Sequence, residues 1–282
     1  MVSPLIKADW LMANLDNVKV LDANSHLPGS GRDANAEYAA SRIPGAGRFD
    51  IGKVADPDNP LPHMIPSSDD FATAVSKMGI SDSDHVVIYD DSPIMPATRV
   101  WWMFRLFGHE NVSVLDGGLA AWRAVSGPME TGDPQTPPPG DFHVRPSVGA
   151  QVIDKPTIEA LIAADSLGQM ADARPQPRFE GSVAEPRAGL RAGHIPGARN
   201  VPLTTLVNED GTFKSVDGIR SAFVAGGVDP DRPIITSCGS GVTACGLALG
   251  LALAGNEQVF MYDGSWTEWG ASDAPIETGP AS

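Results

Sequence analysis

One cysteine stands where a strand-like segment meets a helix-like segment. Cys238 follows the apolar run 233–236, and two glycines separated by a serine come directly after it. Glycine accepts backbone angles that other residues resist, so successive N–H groups of this loop can point toward one centre. A concave ring of amides at a helix N-terminus stabilises an anion. The amides expected around the sulfur belong to Gly239, Ser240, Gly241, Val242 and Thr243.

The anion at that centre would be the thiolate of Cys238 itself. The pKa of a free thiol is about 8.5, and a helix N-terminus or a nearby cation lowers it below neutral. We therefore expect a pre-formed thiolate that is exposed at the mouth of a pocket. The other cysteine, Cys245, lies in the apolar helix-like segment 244–253. We expect Cys245 to be buried and inert, which is the common fate of a lone cysteine.

Two reactions use a thiolate held in this way. Hydrolysis of a phosphate ester through a phosphocysteine needs an arginine that closes the loop and clamps the phosphoryl oxygens. Ala244 stands at that position, which argues against a phosphatase. Sulfur transfer needs only attack of the thiolate on a sulfane or thiol sulfur, followed by discharge of the persulfide to a second nucleophile. Sulfur transfer is therefore the chemistry that we favour.

The chain repeats itself at the scale of a domain. Four short segments recur in the same order at spacings of 147–152 residues, which indicates a duplication. The matching segments are 21–24 with 171–174, 43–46 with 195–198, 87–90 with 235–238, and 116–122 with 263–269. Prolines between the copies predict an extended connector. The predicted parts are an N-terminal domain 1–127, a proline-rich linker 128–149 and a C-terminal domain 150–282.

Short apolar runs alternate with helix-length segments. The predicted strands of the first copy are 18–21, 85–89 and 112–115, and its predicted helices are 68–78 and 99–107. This alternation predicts an α/β fold in which each domain has a mainly parallel central sheet flanked by helices. Ligands of such sheets bind beyond the carboxyl ends of the strands. Cys238 stands at such an end.

The loop Cys-Gly-Ser-Gly-Val-Thr resembles the active-site loop of the 3-mercaptopyruvate sulfurtransferases in the rhodanese superfamily. Thiosulfate-specific rhodaneses resemble Cys-Arg-Lys-Gly-Val-Thr instead, with two cations where this chain has neutral residues. Further motifs that fit the superfamily lie at 99–103, 116–119, 172–174, 178–179, 185–187 and 193–198. The resemblance implies two tandem rhodanese-like domains. Only the second would be catalytic, because Asp90 stands in the first copy where Cys238 stands in the second.

The resemblance also implies roles for residues away from the loop. The substrate-binding arginines of the family fall on Arg178 and Arg187, and a guanidinium grips a carboxylate with two bonds. Ser240 would join His63 in a relay that delivers a proton to the departing pyruvate enolate. The family pattern has a carboxylate where this chain has Gly52. In an extended segment position 50 would share a face with position 52, so that the carboxylate of residue 50 could substitute.

What the resemblance implies is an enzyme. It would move sulfur from 3-mercaptopyruvate through a Cys238 persulfide to a thiol, such as a thioredoxin-like dithiol, or to cyanide, and would release pyruvate. Two alternatives stay open: sulfur transfer from thiosulfate to cyanide by the same cysteine, and a sulfur-carrier or binding module with little activity alone. The resemblance implies neither a cofactor nor a metal.

The net charge and the two cysteines argue against nucleic-acid-binding, membrane-binding, metal-binding and disulfide-rich classes of protein. A net charge of −15 repels phosphate backbones and anionic lipids, which disfavours nucleic-acid and membrane partners. No 18-residue apolar run and no signal-like start is visible, so we expect a cytoplasmic protein. The two cysteines are seven residues apart without clustered histidines, which argues against a metal site and a disulfide framework.

Overall fold

The computed structural model describes residues 2–147 and 149–281 and forms two compact units. The first unit holds the described residues of 1–58, 65–148 and 209–212, and the second holds those of 59–64, 149–208 and 213–282. Segments 59–64 and 209–212 thus each belong to the unit formed mainly by the other half of the chain. Periodicity along the sequence carries no signal for such an exchange.

The proline-rich segment 128–149, predicted as an extended linker, is bonded to the first unit. Its described residues up to 147 belong to the first unit. Glu130 pairs in an antiparallel bridge with Arg42, and the N–H of Gly140 donates to the Ser76 carbonyl at 2.8 Å. The segment has neither helix nor strand among its described residues, as its prolines require. Its backbone hydrogen bonds nevertheless attach it to the first unit, so it is no independent connector.

Five parallel strands in the order β1-β5-β4-β2-β3 form the sheet of the first unit. The strands are β1 (Leu5–Ile6), β2 (Lys19–Asp22), β3 (Gly47–Arg48), β4 (Val86–Tyr89) and β5 (Val112–Leu115). The helices are α1 (Ala8–Asn14), α2 (Ala34–Ala40), α3 (Ser68–Lys77), α4 (Pro96–Leu106) and α5 (Gly118–Ala124). Every residue of β4 and β5 is buried, as in a sheet covered on both faces.

The second unit repeats this arrangement, with parallel strands in the order β6-β10-β9-β7-β8. The strands are β6 (Ala150–Ile153), β7 (Gln169–Asp172), β8 (Arg199–Asn200), β9 (Ile234–Ser237) and β10 (Val259–Tyr262). The helices are α6 (Lys155–Ala163), α7 (Gln176–Phe179), α8 (Val216–Ala225), α9 (Thr243–Leu253) and α10 (Ser265–Trp269). The predicted fold, two tandem α/β domains with parallel sheets, is confirmed.

The duplication extends to single hydrogen bonds. The bridge between Arg42 and Glu130 in the first unit recurs between His194 and Glu277 in the second. The N–H of Leu119 donates to the Asp90 carbonyl at 2.8 Å, and the N–H of Trp266 donates to the Cys238 carbonyl at 3.0 Å. The loop after β4 and the loop after β9 are therefore equivalent.

Helix α9 is apolar on all sides and fixes the position of the cysteine loop. Residues 244–251 are all buried. Gly246 packs so closely on Leu203 that an added Cβ would come within 2.5 Å of a Leu203 methyl carbon. A helix that is hydrophobic all round belongs in a core. Its buried N-terminus therefore gives the loop a rigid base.

Candidate active site

Cys238 lies directly after β9, and the loop that follows it enters α9 at Thr243. The placement between a strand end and a helix N-terminus is the one predicted. The exposure is not: Cys238 is 1% exposed, and only Gly239 and Thr243 of the loop are partly exposed. The expectation of a sulfur exposed at a pocket mouth is wrong, because the loop is bonded along its length to the segment 265–267 and continues into a buried helix.

Three consecutive residues, Ser265, Trp266 and Thr267, hold the loop. The Ser265 hydroxyl accepts from the N–H groups of Cys238 at 3.2 Å and Gly241 at 3.1 Å, and donates to the Tyr262 carbonyl at 2.8 Å. Thr267 donates to the Gly239 carbonyl through its N–H at 2.9 Å and through its hydroxyl. This clamp was not predicted, although the glycine at the equivalent position 118 of the first copy marks Ser265 as a special backbone site.

The clamp changes which amides can face the sulfur. The Gly241 N–H, expected in the ring around Cys238, donates to the Ser265 hydroxyl instead. The left-handed φ of Gly241, 72°, is the conformation for which a glycine was expected there. The amides of Gly239, Ser240, Val242 and Thr243 remain the candidates for holding the sulfur anion.

Arg178 lies against the loop and is held by a buried carboxylate. Its Nε and Nη2 donate to Glu185 at 3.1 and 2.5 Å, and the Glu185 side chain is only 2% exposed. A Cβ added to Gly239 would stand 3.0 Å from Arg178 Nη2. The absence of a side chain at residue 239 is thus what admits the guanidinium. Glu185 lies in the motif 185–187, but the sequence pattern predicted no role for it.

Arg187 is the second predicted substrate-binding arginine, and its surroundings differ. Across residues 2–147 and 149–281 it makes no hydrogen bond and no ion pair. Burial lowers the pKa of its guanidinium, the nearby Cys238 sulfur opposes that shift, and the charge of Arg178 adds to it. Arg187 is therefore a half-buried cation close to Cys238 whose hydrogen-bond donors are available to an anionic ligand.

Ser240 and His63, the predicted relay partners, are not joined by a hydrogen bond among the residues that the structure describes. Both residues belong to the second unit. Ser240 is 9% exposed, and its hydroxyl makes no hydrogen bond with any residue that the structure describes. His63 has a left-handed φ of 65°, which is unusual for a residue with a side chain. The structure therefore brings the two residues into one unit without joining them.

The segment after Asp50 is a turn, which corrects the extended conformation considered for it. The N–H groups of Lys53 and Val54 both donate to the Asp50 carbonyl, and the Asp50 carboxylate accepts from the Gly52 N–H at 2.9 Å. Aspartate favours such turns because its side chain caps a backbone N–H two residues on. Positions 50 and 52 therefore do not share a strand face.

Three further side chains have structural roles, and that of Cys245 is the buried one predicted for it. Arg174 is 1% exposed and bonds to the Asp172 carboxylate. His194 is fully buried, donates from Nδ1 to the Phe179 carbonyl at 2.9 Å and stacks on the Phe179 ring. Cys245 is fully buried, and its thiol donates to the Gly241 carbonyl at 3.2 Å.

The equivalent loop of the first unit carries a carboxylate in place of the thiol. Asp90 accepts from the N–H of Ala97 in the first turn of α4 at 2.8 Å. Loss of water around this carboxylate raises its pKa from 3.8 to about 7, against the effect of the hydrogen bonds from Ala97 and Ser92. A group held in this way offers no sulfur nucleophile, so the catalytic candidate lies in the second unit alone.

The described residues offer neither a metal site nor a membrane span. Within the described chain, no cluster of three or more His, Cys, Asp or Glu side chains is arranged to hold a metal ion. None of the helices described is long and apolar enough to cross a membrane.

Comparisons with known proteins agree with this geometry. The 3-mercaptopyruvate sulfurtransferase of Escherichia coli strain K12 is 43% identical over 276 residues, which cover 96% of this chain and 97% of that protein. The mitochondrial thiosulfate/3-mercaptopyruvate sulfurtransferase 1 of Arabidopsis thaliana is 39% identical over 301 residues, covering 98% of this chain and 78% of that protein.

A solved structure and a family model extend the likeness to the fold. The crystal structure of SseA from Escherichia coli, a 3-mercaptopyruvate sulfotransferase with the rhodanese fold, matches with a TM-score of 0.84 at 39% identity. The match covers 94% of this chain and 99% of that one. The model of the rhodanese-like domain matches residues 7–125 and again residues 157–272. The chain thus belongs to the rhodanese family and carries two rhodanese-like domains.

Proposed function

We propose that the chain is a 3-mercaptopyruvate sulfurtransferase in which Cys238 carries the sulfur as a persulfide. The observation that supports this most directly is the placement of Cys238 at the head of α9, in a loop clamped by residues 265–267, with the unpaired Arg187 nearby. The names and identities of the relatives support the same reaction.

In the first half-reaction the Cys238 thiolate attacks the sulfur of the donor. An S–S bond forms and the C–S bond breaks, with its electron pair passing to the methylene carbon as a pyruvate enolate. The donor's thiol proton is transferred to that carbon, so that pyruvate leaves and Cys238 holds an anionic persulfide. The loop amides of Gly239, Ser240, Val242 and Thr243 stabilise that anion. Ser240 is the hydroxyl we assign to the proton transfer, with His63 as its proposed assistant.

The donor's carboxylate binds to Arg187. Its guanidinium has donors to spare, and two parallel bonds to a carboxylate would orient the thiol of the donor toward Cys238. Arg178 contributes a wall of the site rather than a full second grip, because two of its donors are already bonded to Glu185. Both predicted substrate-binding arginines therefore contribute to the site, and Arg187 makes the main contact with the donor's carboxylate.

In the second half-reaction a nucleophile takes the outer sulfur and the Cys238 thiolate is restored. A thiol, such as a thioredoxin-like dithiol, is the proposed acceptor in the cell, and cyanide would serve in the assay, giving thiocyanate. Cytoplasmic residence is part of the proposal, supported by two cysteines that are both free thiols. Cell fractionation with an antibody to the chain would test that location.

Two measurements test the proposed reaction. Mass spectrometry after exposure to 3-mercaptopyruvate should show a gain of one sulfur on the peptide that contains Cys238. With cyanide as acceptor, kcat/KM for 3-mercaptopyruvate should exceed kcat/KM for thiosulfate, since the loop at Gly239 and Ser240 is neutral. A tenfold preference for thiosulfate would identify thiosulfate, and not 3-mercaptopyruvate, as the sulfur donor. Persulfide loading only from a partner protein would indicate a sulfur carrier instead.

A further inference from the structure

Four side chains with alternating charge run from the end of β7 to the catalytic loop. Arg174 donates to Asp172 Oδ2 through Nε at 3.0 Å and Nη2 at 2.7 Å. Its Nη1 donates to Glu185 Oε1 at 3.0 Å. Glu185 in turn accepts two bonds from Arg178. Within this buried row, two carboxylates balance two guanidinium groups.

Glu185 fixes both the place and the effective charge of Arg178. The guanidinium that it holds lies 3.0 Å from the position of a Cβ on Gly239, beside Cys238. The Glu185 side chain is 2% exposed, so water screens the pair little. A donor anion approaching the loop therefore meets the field of an ion pair at Arg178 rather than that of a free cation.

Arg187 supplies a further positive charge near the sulfur. Among the residues described it has no bonded carboxylate, while its electrostatic neighbours are Cys238, Arg178 and Glu185. A guanidinium without a bonded carboxylate matches the single carboxylate of a donor. A donor with two negative charges would bring a second charge, and the Arg178 guanidinium that could meet it is already paired with Glu185.

We propose that Glu185 is a specificity-determining residue: by cancelling the charge of Arg178, it adapts the site to sulfur donors that carry a single negative charge. This inference rests on the proposed sulfur transfer and defines the charge class of its donor. A mercapto-keto acid has one carboxylate, whereas thiosulfate is a dianion. Coulomb energies scale with the product of the charges, so an added cation favours the dianion about twice as strongly. Glu185 touches no donor in this proposal and acts through Arg178.

The variant Glu185→Gln tests the inference because glutamine keeps the length and the acceptor oxygen but removes the charge. With cyanide as acceptor, kcat/KM is measured for thiosulfate and for 3-mercaptopyruvate. We expect the ratio of thiosulfate to 3-mercaptopyruvate to rise at least fivefold. A smaller rise, or an equal loss with both donors, would reduce Glu185 to a structural bridge and overturn the inference.

Two control variants separate charge from geometry. Glu180→Gln removes a carboxylate that accepts from Gln176 at 2.6 Å and forms no ion pair within the described chain. It should leave the donor ratio unchanged. Glu185→Asp keeps the charge, so the donor ratio should stay near the wild-type value even if kcat falls. If Glu185→Asp shifts the donor ratio as far as Glu185→Gln does, the charge of residue 185 does not determine the ratio.

The unmodified protein provides a measurement that does not depend on the folding of a variant. Pyruvate and sulfate are compared as competitive inhibitors of the donor at equal ionic strength, and pyruvate should bind at least tenfold more tightly. Sulfate binding as tight as pyruvate binding would overturn the single-charge match. Wild-type protein without activity on 3-mercaptopyruvate would instead contradict the proposed function, so the two failures are distinguishable.

Discussion

At the scale of single residues, the two cysteines should behave in opposite ways. Cys238→Ser should lower sulfur transfer by more than about 10³-fold, because a hydroxyl at this position is a far weaker nucleophile than a thiolate. Cys245→Ser should keep most of the activity, since Cys245 is fully buried and a serine hydroxyl can also donate to the Gly241 carbonyl. Thiocyanate formation measures both. Loss of activity in the Cys245 variant would instead indicate that the two thiols act together.

Substitution of Arg187 should weaken substrate binding, whereas substitution of Arg178 should lower the free energy of unfolding. Arg187→Gln should raise KM for 3-mercaptopyruvate about tenfold or more, and should change the free energy of unfolding by less than about 0.5 kcal/mol, because no described residue bonds to Arg187. Arg178→Gln deprives the buried Glu185 of two bonds and should cost about 2–4 kcal/mol. Urea denaturation at neutral pH gives both free energies. Equal stability of the two variants would contradict the assigned ion pair.

Residue types and spacing were enough to single out Cys238 as the candidate nucleophile but not the residues that support its loop. Two glycines around a serine after a buried strand indicated Cys238, and the family motifs indicated Arg178 and Arg187. Glu185 and Ser265 could not be assigned in this way, since a charged or hydroxylated residue in a loop is usually solvated. Only the folded chain shows that Glu185 is 2% exposed between two guanidinium groups.

At the scale of elements, the segment 265–267 determines the conformation of the loop. Ser265 has a left-handed φ of 48°, and Gly118 occupies the equivalent place in the first copy with a φ of 54°. A serine in this conformation costs about 1 kcal/mol relative to glycine. That a strained serine stands here is consistent with the need for its hydroxyl, which accepts from two buried N–H groups.

Substitution of Ser265 should therefore separate stability from activity. Ser265→Ala keeps the strain and leaves two buried N–H groups without an acceptor, at about 1–3 kcal/mol for each group. Ser265→Gly loses the same bonds but relieves the strain, so it should be about 1 kcal/mol more stable than the alanine variant. Both should lose tenfold or more in kcat, because the amides around Cys238 are no longer fixed. Full kcat in the glycine variant would show that the loop keeps its conformation without the Ser265 hydroxyl.

The long elements were predictable and the short ones were not. Buried apolar runs indicated β4, β5 and β9, and the predicted helix 68–78 is found as α3, with Ser67 as its cap. The two-residue strands β3 and β8 went unpredicted because a pair of residues has no periodicity to detect. Their places at the edges of the two sheets follow from pairing with β2 and β7 alone.

At the scale of the whole molecule, the first unit should make the free energy of unfolding depend on pH. The folded chain keeps a proton on Asp90 up to about pH 7, whereas the unfolded chain loses it near pH 4. Unfolding between these values releases that proton, so this contribution to stability falls as the pH rises toward 7 and is constant above it. The residue is partly exposed overall, so the effect should be smaller than full burial would give.

Asp90→Asn isolates this contribution. The stability of the variant minus that of the wild type should grow by about 2 kcal/mol between pH 5 and pH 8, because asparagine has no proton to release. Calorimetric unfolding at several pH values measures the difference, with the transition of the first unit followed separately where the two units unfold in two steps. A constant difference across this range would mean that Asp90 is ionised in the folded chain.

The burial of Cys238 affects which molecules can reach its sulfur before and after loading. An S–S bond is about 2 Å long, so the outer atom of a persulfide can lie closer to the surface than the atom that bears it. The resting thiol would then be shielded from bulky oxidants and alkylating agents, while the loaded form presents its terminal sulfur to a slender acceptor. Loading itself would make the enzyme reactive toward its second substrate, and no movement of the backbone would be required.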